Sequence, residues 1–412
     1  MSTVSFWDTQ ISNKSFTYGW VYDQLLEKDP EFQAFIKEKE IIEASGYDVS
    51  NSKGCFSEVF KITFVATDGS KYNTILKLPG SESFDSAIQS AFCVDDSGIK
   101  YKSTNEMEKS IIEMHNRECD YYNKFAHEGI PIPVVFNAVY WDPTKGQDGG
   151  LLMKDLSSDS KMMNFSESLS LAQIFHVVDA VAKLQAYSIR NQAFVDSCDY
   201  KFPLRNVDLS AIVETLVPAL KQKHLSVIGA ELDTFLPIAL SPQFQALGKS
   251  KNGPNENVPR TLIHGDIYTN NLFFKIDSNK NVTSELKCIM DWQHMHVNTP
   301  GSDLARFLIL SCDGDIRRRN KDVIFQHFYS NLIKELNGIE VPFTLDAFES
   351  SYAYSFVEQT FQMILMVSIF TSFPISKNEE HAHNAGTEKL ILRIKHALED
   401  ANKYIEKMKW EL

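Results

Sequence analysis

Leu262-Ile263-His264-Gly265-Asp266-Ile267-Tyr268-Thr269-Asn270-Asn271-Leu272-Phe273-Phe274 is a polar turn set between two apolar runs. His264, Gly265 and Asp266 stand together, and Asn271 closes the turn after four intervening residues. Transfer of a phosphoryl group to a hydroxyl needs a carboxylate that orients the acceptor and takes its proton, with an oxygen ligand nearby for the cation bridging the phosphates. Asp266 suits the first role and Asn271 the second. In isolation the segment is also compatible with an accidental loop pattern, so the weight falls on what surrounds it in chain order.

Downstream, Cys288-Ile289-Met290-Asp291-Trp292 puts a carboxylate at the end of an apolar strand, where a second magnesium ligand is required. A strand-ending Asp that caps a turn is the plainer reading of Asp291 alone. Upstream, Lys77 is embedded in the apolar strand Asn73-Thr74-Ile75-Leu76-Lys77-Leu78-Pro79, and Glu118 is the acidic candidate to pair with it from the following helix. Such a pair would aim an ammonium at the α- and β-phosphates of ATP. Separately, Lys77 reads as a snorkelling surface lysine and Glu118 as a solvated helix residue.

Further toward the N-terminus, Lys53-Gly54-Cys55-Phe56-Ser57-Glu58 precedes the strand that pairs with the lysine strand. It holds one glycine where a G-x-G-x-x-G loop has three; Gly54 permits close backbone approach, and the Ser57 hydroxyl can contact phosphate oxygens. An ordinary hairpin is the competing account. Gly150-Leu151-Leu152-Met153-Lys154-Asp155-Leu156 joins the last strand to the helical half, a position that resembles the one where kinases bind adenine through backbone groups, which here would be those of Lys154 and Leu156.

Strands are expected over Glu58 to Ala66, Thr74 to Leu78 and Val134 to Trp141, the first two joined by the turn Asp68-Gly69-Ser70. Asn105 to Phe125, rich in Glu, Met, Ile and Lys, reads as a helix between them. After Asp155 the texture changes. Leu171, Ile174, Phe175, Val178, Val181 and Ala182 recur at helical spacing, and most of the remaining chain is helical, which puts a boundary near Leu156 and gives domains of 1–155 and 156–412. Gly248 to Pro259 and Ser372 to Glu388 read as surface loops. Phe361 to Ile375 is too short and too interrupted to span a bilayer and reads as a buried helix.

Lysine and arginine number 41 against 54 acidic residues, a net charge of −13, and no basic block is available to track a nucleic-acid backbone. The six cysteines are scattered without a CxxC pair, which favours reduced thiols in a cytoplasmic setting. Met1 to Gln10 lacks the basic and apolar regions of a secretion signal, and no membrane association is expected. His294, His296, His381 and His383 have no carboxylate or cysteine pattern to complete a zinc site.

Assembled in this order, the motifs resemble those of the ecdysteroid-kinase-like (CHK kinase-like) family, relatives of choline kinases and aminoglycoside phosphotransferases. The resemblance runs from about Asn51 through at least Arg306, is less diagnostic over the helical tail, and includes the aromatic Tyr268 two positions after Asp266. It implies an α+β, protein-kinase-like, two-lobed fold: an N-terminal antiparallel sheet with one helix, then a larger, mainly helical lobe. It further implies that Asp266 is the catalytic base, that Asn271 and Asp291 bind magnesium, that Lys77 with Glu118 positions ATP, and that His264 organises the loop. Asp303, in Pro300-Gly301-Ser302-Asp303-Leu304-Ala305, would be structural, and it also reads as a helix N-cap. No activation segment or A-P-E signature lies between Asp291 and Asp303, which argues for a small-molecule hydroxyl acceptor, steroid-like or amino-alcohol, rather than a protein. Trp292, Tyr352, Phe356, Phe361 and Met363 are candidates for the acceptor pocket, although residues at helical spacing are more often core. The alternative function is a catalytically inactive, nucleotide-binding pseudokinase acting through protein partners, against which the retention of all five polar residues speaks.

Overall fold

The structure, a computed structural model, describes residues 6–50, 56–81, 104–125, 129–249, 258–372 and 378–408. They form two compact units. The first takes in the described residues up to 81 with 104–125 and 133–158; the second takes in 129–132 and the described residues from 159 onward.

The first unit is a five-stranded antiparallel sheet in the order β1-β2-β3-β5-β4, built from β1 (Ile41–Asp48), β2 (Ser57–Ala66), β3 (Lys71–Pro79), β4 (Val135–Val139) and β5 (Gly150–Lys154). The β2-β3 hairpin turns at Gly69, whose φ of +80° suits a residue without Cβ, while the Asp68 carboxylate accepts the Ser70 amide at 3.0 Å. Successive residues of a strand face opposite sides. Leu76 and Leu78 therefore join Ile62, Phe64 and Leu152 in a core closed by Val21 and Leu25 of α1 (Tyr18–Lys28) and Phe32 of α2 (Pro30–Ile36). Lys77, between the two leucines, is left for the other face. Each fully buried leucine or phenylalanine in such a core contributes about 1.5–3 kcal/mol.

The helix α3 (Asn105–Lys124) begins where the Thr104 hydroxyl accepts the Met107 amide at 3.2 Å. It buries Met107, Ile111, Met114, Glu118 and Tyr121, one stripe at helical spacing with a carboxylate in it.

The second unit is mainly helical: α4 (Leu171–Arg190), α5 (Gln192–Ser197), α6 (Ser210–Lys223), α7 (Leu225–Ala239), α8 (Pro242–Lys249), α9 (Gly301–Ser311), α10 (Gly314–Leu336), α11 (Leu345–Phe370) and α12 (Glu380–Met408). Two small sheets interrupt it. Strand β7 (Thr261–Ile263) pairs with β10 (His296–Asn298), and β8 (Leu272–Ile276) lies between β6 (Ser160–Met162) and β9 (Val282–Ile289). Ten residues of α9 are buried, which makes it the central helix of this unit.

Three expectations change. The stretch 380–388 is the start of α12 and not a loop; its side chains are mostly exposed until Gly386, so a solvated helical turn carries loop-like composition. Likewise α8 extends to Lys249, inside the stretch read as a loop, and 250–257 lie outside the described residues. The N-cap of α9 is Pro300, and Asp303 sits inside the first turn. Among the described residues no helix is long and apolar enough to cross a membrane.

Candidate functional site

In the second unit the chain leaves β7, makes the turn His264–Tyr268, passes through a short 3-10 turn at Thr269–Asn271 and continues as β8. The turn is gripped from beneath. The carboxylate of Asp303, fully buried on α9, accepts the His264 amide at 2.7 Å and the Gly265 amide at 2.9 Å. Burial pushes the Asp303 carboxyl up, against these two bonds, which favour its ionised form. Gly265 has φ +79°, and a Cβ there would stand 2.4 Å from the His294 carbonyl oxygen. Glycine is the residue this corner requires.

The His264 ring ties the turn to the next strand. Its Nδ1 accepts the Asp266 amide at 3.1 Å, so Nε2 carries the proton and donates to the Met290 carbonyl at 2.9 Å. Trp292, fully buried, packs edge-on against this ring with centroids 4.6 Å apart. The Met290 amide donates in turn to the Asn271 carbonyl at 2.8 Å. These two bonds fasten the residue before Asp291 to both ends of the turn.

Asp266 is 9% exposed. Asn271 donates from Nδ2 to the Asp266 carbonyl at 2.8 Å and to Oδ2 of its carboxylate at 3.2 Å. With two acceptors facing it, the amide must present nitrogen on that side, which leaves Oδ1 of Asn271 for a cation. Asp291 adopts the left-handed region at φ +66°, a conformation Asp tolerates better than most residues, and accepts from Gln293 Nε2 at 3.1 Å. Burial holds the His294 imidazole below its usual range, opposed by the charges of both Asp266 and Asp291. The two carboxylates thus act on one imidazole.

Burial alone would raise the Asp266 carboxyl, but the Arg306 guanidinium, helped by His294 and His264, holds it below the usual carboxylate range. Arg306 donates to Asp266 Oδ1 from Nε at 3.1 Å and from Nη2 at 2.5 Å.

In the first unit, Lys77 Nζ meets Glu118 Oε2 at 2.6 Å with the two residues 8% and 1% exposed. Ser57 is buried two residues before Val59, the partner of Lys77 across the β2-β3 ladder. Lys154 donates its amide to the Val134 carbonyl at 2.9 Å and its ammonium to Glu31 at 2.5 Å, so that amide is committed within the protein. Leu156 is buried. Gly54 lies outside the described residues.

The sequence-predicted residues therefore assemble as two constellations: Asp266, Asn271 and Asp291 in one unit, Lys77 with Glu118 in the other. Among the described residues no three His, Cys, Asp or Glu side chains group as a metal cage. One Asn and one Asp form a donor set suited to magnesium, which keeps several waters and binds substrate phosphates.

A sequence model of the DUF1679 family, described as "Uncharacterized oxidoreductase dhs-27", matches residues 46–409. The chain belongs to this family. Uncharacterized oxidoreductase dhs-27 of Caenorhabditis elegans is 23% identical over 331 residues, which are 77% of this chain and 38% of that protein. Uncharacterized kinase-like protein D1044.1 of Caenorhabditis elegans is 22% identical over 261 residues, 59% of this chain and 63% of that protein. The chain thus spans less than two thirds of either relative. Two solved structures are similar at low degree. A putative aminoglycoside phosphotransferase from Ralstonia eutropha aligns at 10% identity and a TM-score of 0.46, over 91% of this chain and 99% of its own. Plasmodium vivax ethanolamine kinase aligns at 11% identity and a TM-score of 0.41, over 95% and 90%.

In this DUF1679 member sequence reasoning missed Arg306, and with it Gln359, which accepts from Arg306 Nη1 at 2.9 Å. The signal available was Asp303-Leu304-Ala305-Arg306: two charges one helical turn apart in an otherwise apolar helix. The pocket candidates Trp292, Tyr352, Phe356 and Met363 are core, each at most 1% exposed, and Phe361 is half-buried.

Proposed function

We propose that this chain is an ATP- and magnesium-dependent phosphotransferase acting on a hydroxyl of a small molecule. One observation carries the reading: Asp266 and Asn271 are locked to each other on a single turn, and that turn is bonded to the residue preceding Asp291. A phosphotransferase needs this set and little else, because catalysis of phosphoryl transfer is mostly positioning and charge stabilisation. The relative named kinase-like supports the same class. The word oxidoreductase belongs to a protein of which this chain matches 38%, and no G-x-G-x-x-G dinucleotide fingerprint occurs in this sequence.

On this reading Asn271 Oδ1 and the Asp291 carboxylate would hold magnesium. When bound, the cation neutralises the charge on the phosphate oxygens. Lys77, oriented by Glu118, would address the α- and β-phosphates; Gly54, Ser57, the backbone of Leu156 and the backbone of Lys154 other than its committed amide would contribute to the nucleotide side, and the domains of this reading are 1–155 and 156–412. The acceptor oxygen attacks the γ-phosphorus, the bond to the ADP oxygen breaks, and the acceptor proton passes to Asp266. The acceptor is a steroid-like or amino-alcohol compound, as the ecdysteroid-kinase-like resemblance suggests, and the setting is the ATP-rich cytoplasm.

The test is phosphorylation of a small-molecule metabolite extract with labelled ATP, read by mass spectrometry. Asp266→Ala should abolish transfer and leave nucleotide binding nearly intact, whereas Asp291→Ala should weaken magnesium-ATP binding as well. A labelled product formed equally by the Asp266 variant would remove the proposed base.

A further inference from the structure

Three nitrogens of Arg306 are accounted for. Nε and Nη2 both donate to Asp266 Oδ1, Nη1 donates to Gln359 on α11, and Nη2 also lies 3.1 Å from the Met366 sulfur. The side chain is only 11% exposed. An arginine fork usually spreads over both oxygens of a carboxylate. Here it is spent on one. The other oxygen, Oδ2, has among the described residues a single hydrogen bond of 3.2 Å from Asn271, longer than the 2.8 Å bond the same nitrogen makes to the Asp266 carbonyl.

Helix α9 thus holds the turn twice: Asp303 fixes its backbone, and one helical turn later Arg306 fixes its carboxylate. We infer that Arg306 is a positioning residue for phosphotransfer, pinning Asp266 by Oδ1 so that Oδ2 is the oxygen presented to the acceptor hydroxyl, and that Gln359 holds Arg306 in place. The inference rests on the phosphotransferase reading above. It adds a residue outside the motifs of that reading and identifies which carboxylate oxygen takes the proton. The reason for such a device is rotational. A carboxylate free to turn about its Cβ–Cγ bond offers its lone pairs in many directions, and misplacement of a reacting group by about 1 Å can cost roughly 10²-fold in rate.

The experiment measures ADP formation by the full chain with magnesium-ATP and a metabolite extract as acceptor source, alongside binding of magnesium-AMP-PNP. Arg306→Ala should lower kcat roughly 10²-fold while nucleotide affinity stays within about threefold. Arg306→Lys should regain about tenfold, since an ammonium can still reach Oδ1 but cannot also span to Gln359. Gln359→Ala should cost about tenfold in kcat, because Gln359 holds the guanidinium that pins Asp266. A merely structural arginine would instead lower nucleotide binding and melting temperature together and gain nothing from lysine. If the wild type and Asp266→Ala turn over equally, or neither turns over, the phosphotransferase reading itself fails. If they differ as expected but Arg306→Ala matches or exceeds the wild type, the positioning role is overturned and the reading stands.

Discussion

The Lys77 ammonium and the Glu118 carboxylate meet at 2.6 Å on the face of the sheet opposite the leucine core, with hardly any exposure on either side. A buried pair owes little net stability to its mutual attraction, because desolvation offsets it, yet removing one partner strands the other charge. Lys77→Met should therefore cost about 3–5 kcal/mol in urea unfolding, and the double variant Lys77→Met with Glu118→Leu should recover a large part of that loss. Single-variant costs that simply add would show that the two charges are not coupled.

That pair also shows what the sequence made legible. Lys77 stands between two core leucines, and Glu118 falls on the stripe Met107, Ile111, Met114, Tyr121; each is a charge at a position whose neighbours are buried. The Asp266, Asn271 and Asp291 set was readable because its parts are local, with strand, turn and strand in direct succession. Arg306 was not, since its partner is forty positions away and no spacing rule links them. Strand β1 escaped notice for a different reason. Among the described residues it pairs with β2 alone and none of its own residues is buried, so no row of core side chains marks it, and pairing with β2, through one bulge near Ile41, supplies the order.

The two amides held by Asp303 give a second expectation. Asp303→Ala would leave the N–H groups of His264 and Gly265 without acceptors in a buried place, at about 1–3 kcal/mol each. Global stability should fall by about 2–6 kcal/mol, and hydrogen exchange at these two amides should quicken relative to the strands beside them. Unchanged protection at both amides would mean that the carboxylate does not hold the turn.

Gly265→Ala tests the corner itself. The left-handed backbone alone costs a Cβ-bearing residue about 1–2 kcal/mol, and the added carbon would press on the His294 carbonyl and on His296 Nδ1, 2.9 Å away. Turnover should fall by more than stability does, because the turn must shift to admit the methyl group and Asp266 shifts with it. A variant with wild-type kcat would show that the corner tolerates displacement.

His115 supplies the pH dependence. It is 3% exposed within α3, donates from Nε2 to the Val139 carbonyl at 2.8 Å, and packs so closely that a Cβ on Gly149 would stand 2.6 Å from its ring. Burial lowers its pKa from 6.5 to about 4; the Val139 bond opposes this and the nearby Lys77 charge adds to it. Above pH 6.5 the imidazole is neutral in folded and unfolded chains alike, and it contributes no pH dependence. Between 6.5 and about 4 the unfolded chain binds the proton and the folded protein does not, so stability declines as pH falls, by about 3 kcal/mol in all. Below that window both states are protonated and this contribution is constant. His115→Gln keeps a donor for Val139 and removes the titration, so urea midpoints measured across the window should decline less steeply than those of the wild type. Parallel curves for the two proteins would assign the acid sensitivity to other groups, with the ion pairs of Asp400 to Arg317 and Arg318 the first to test.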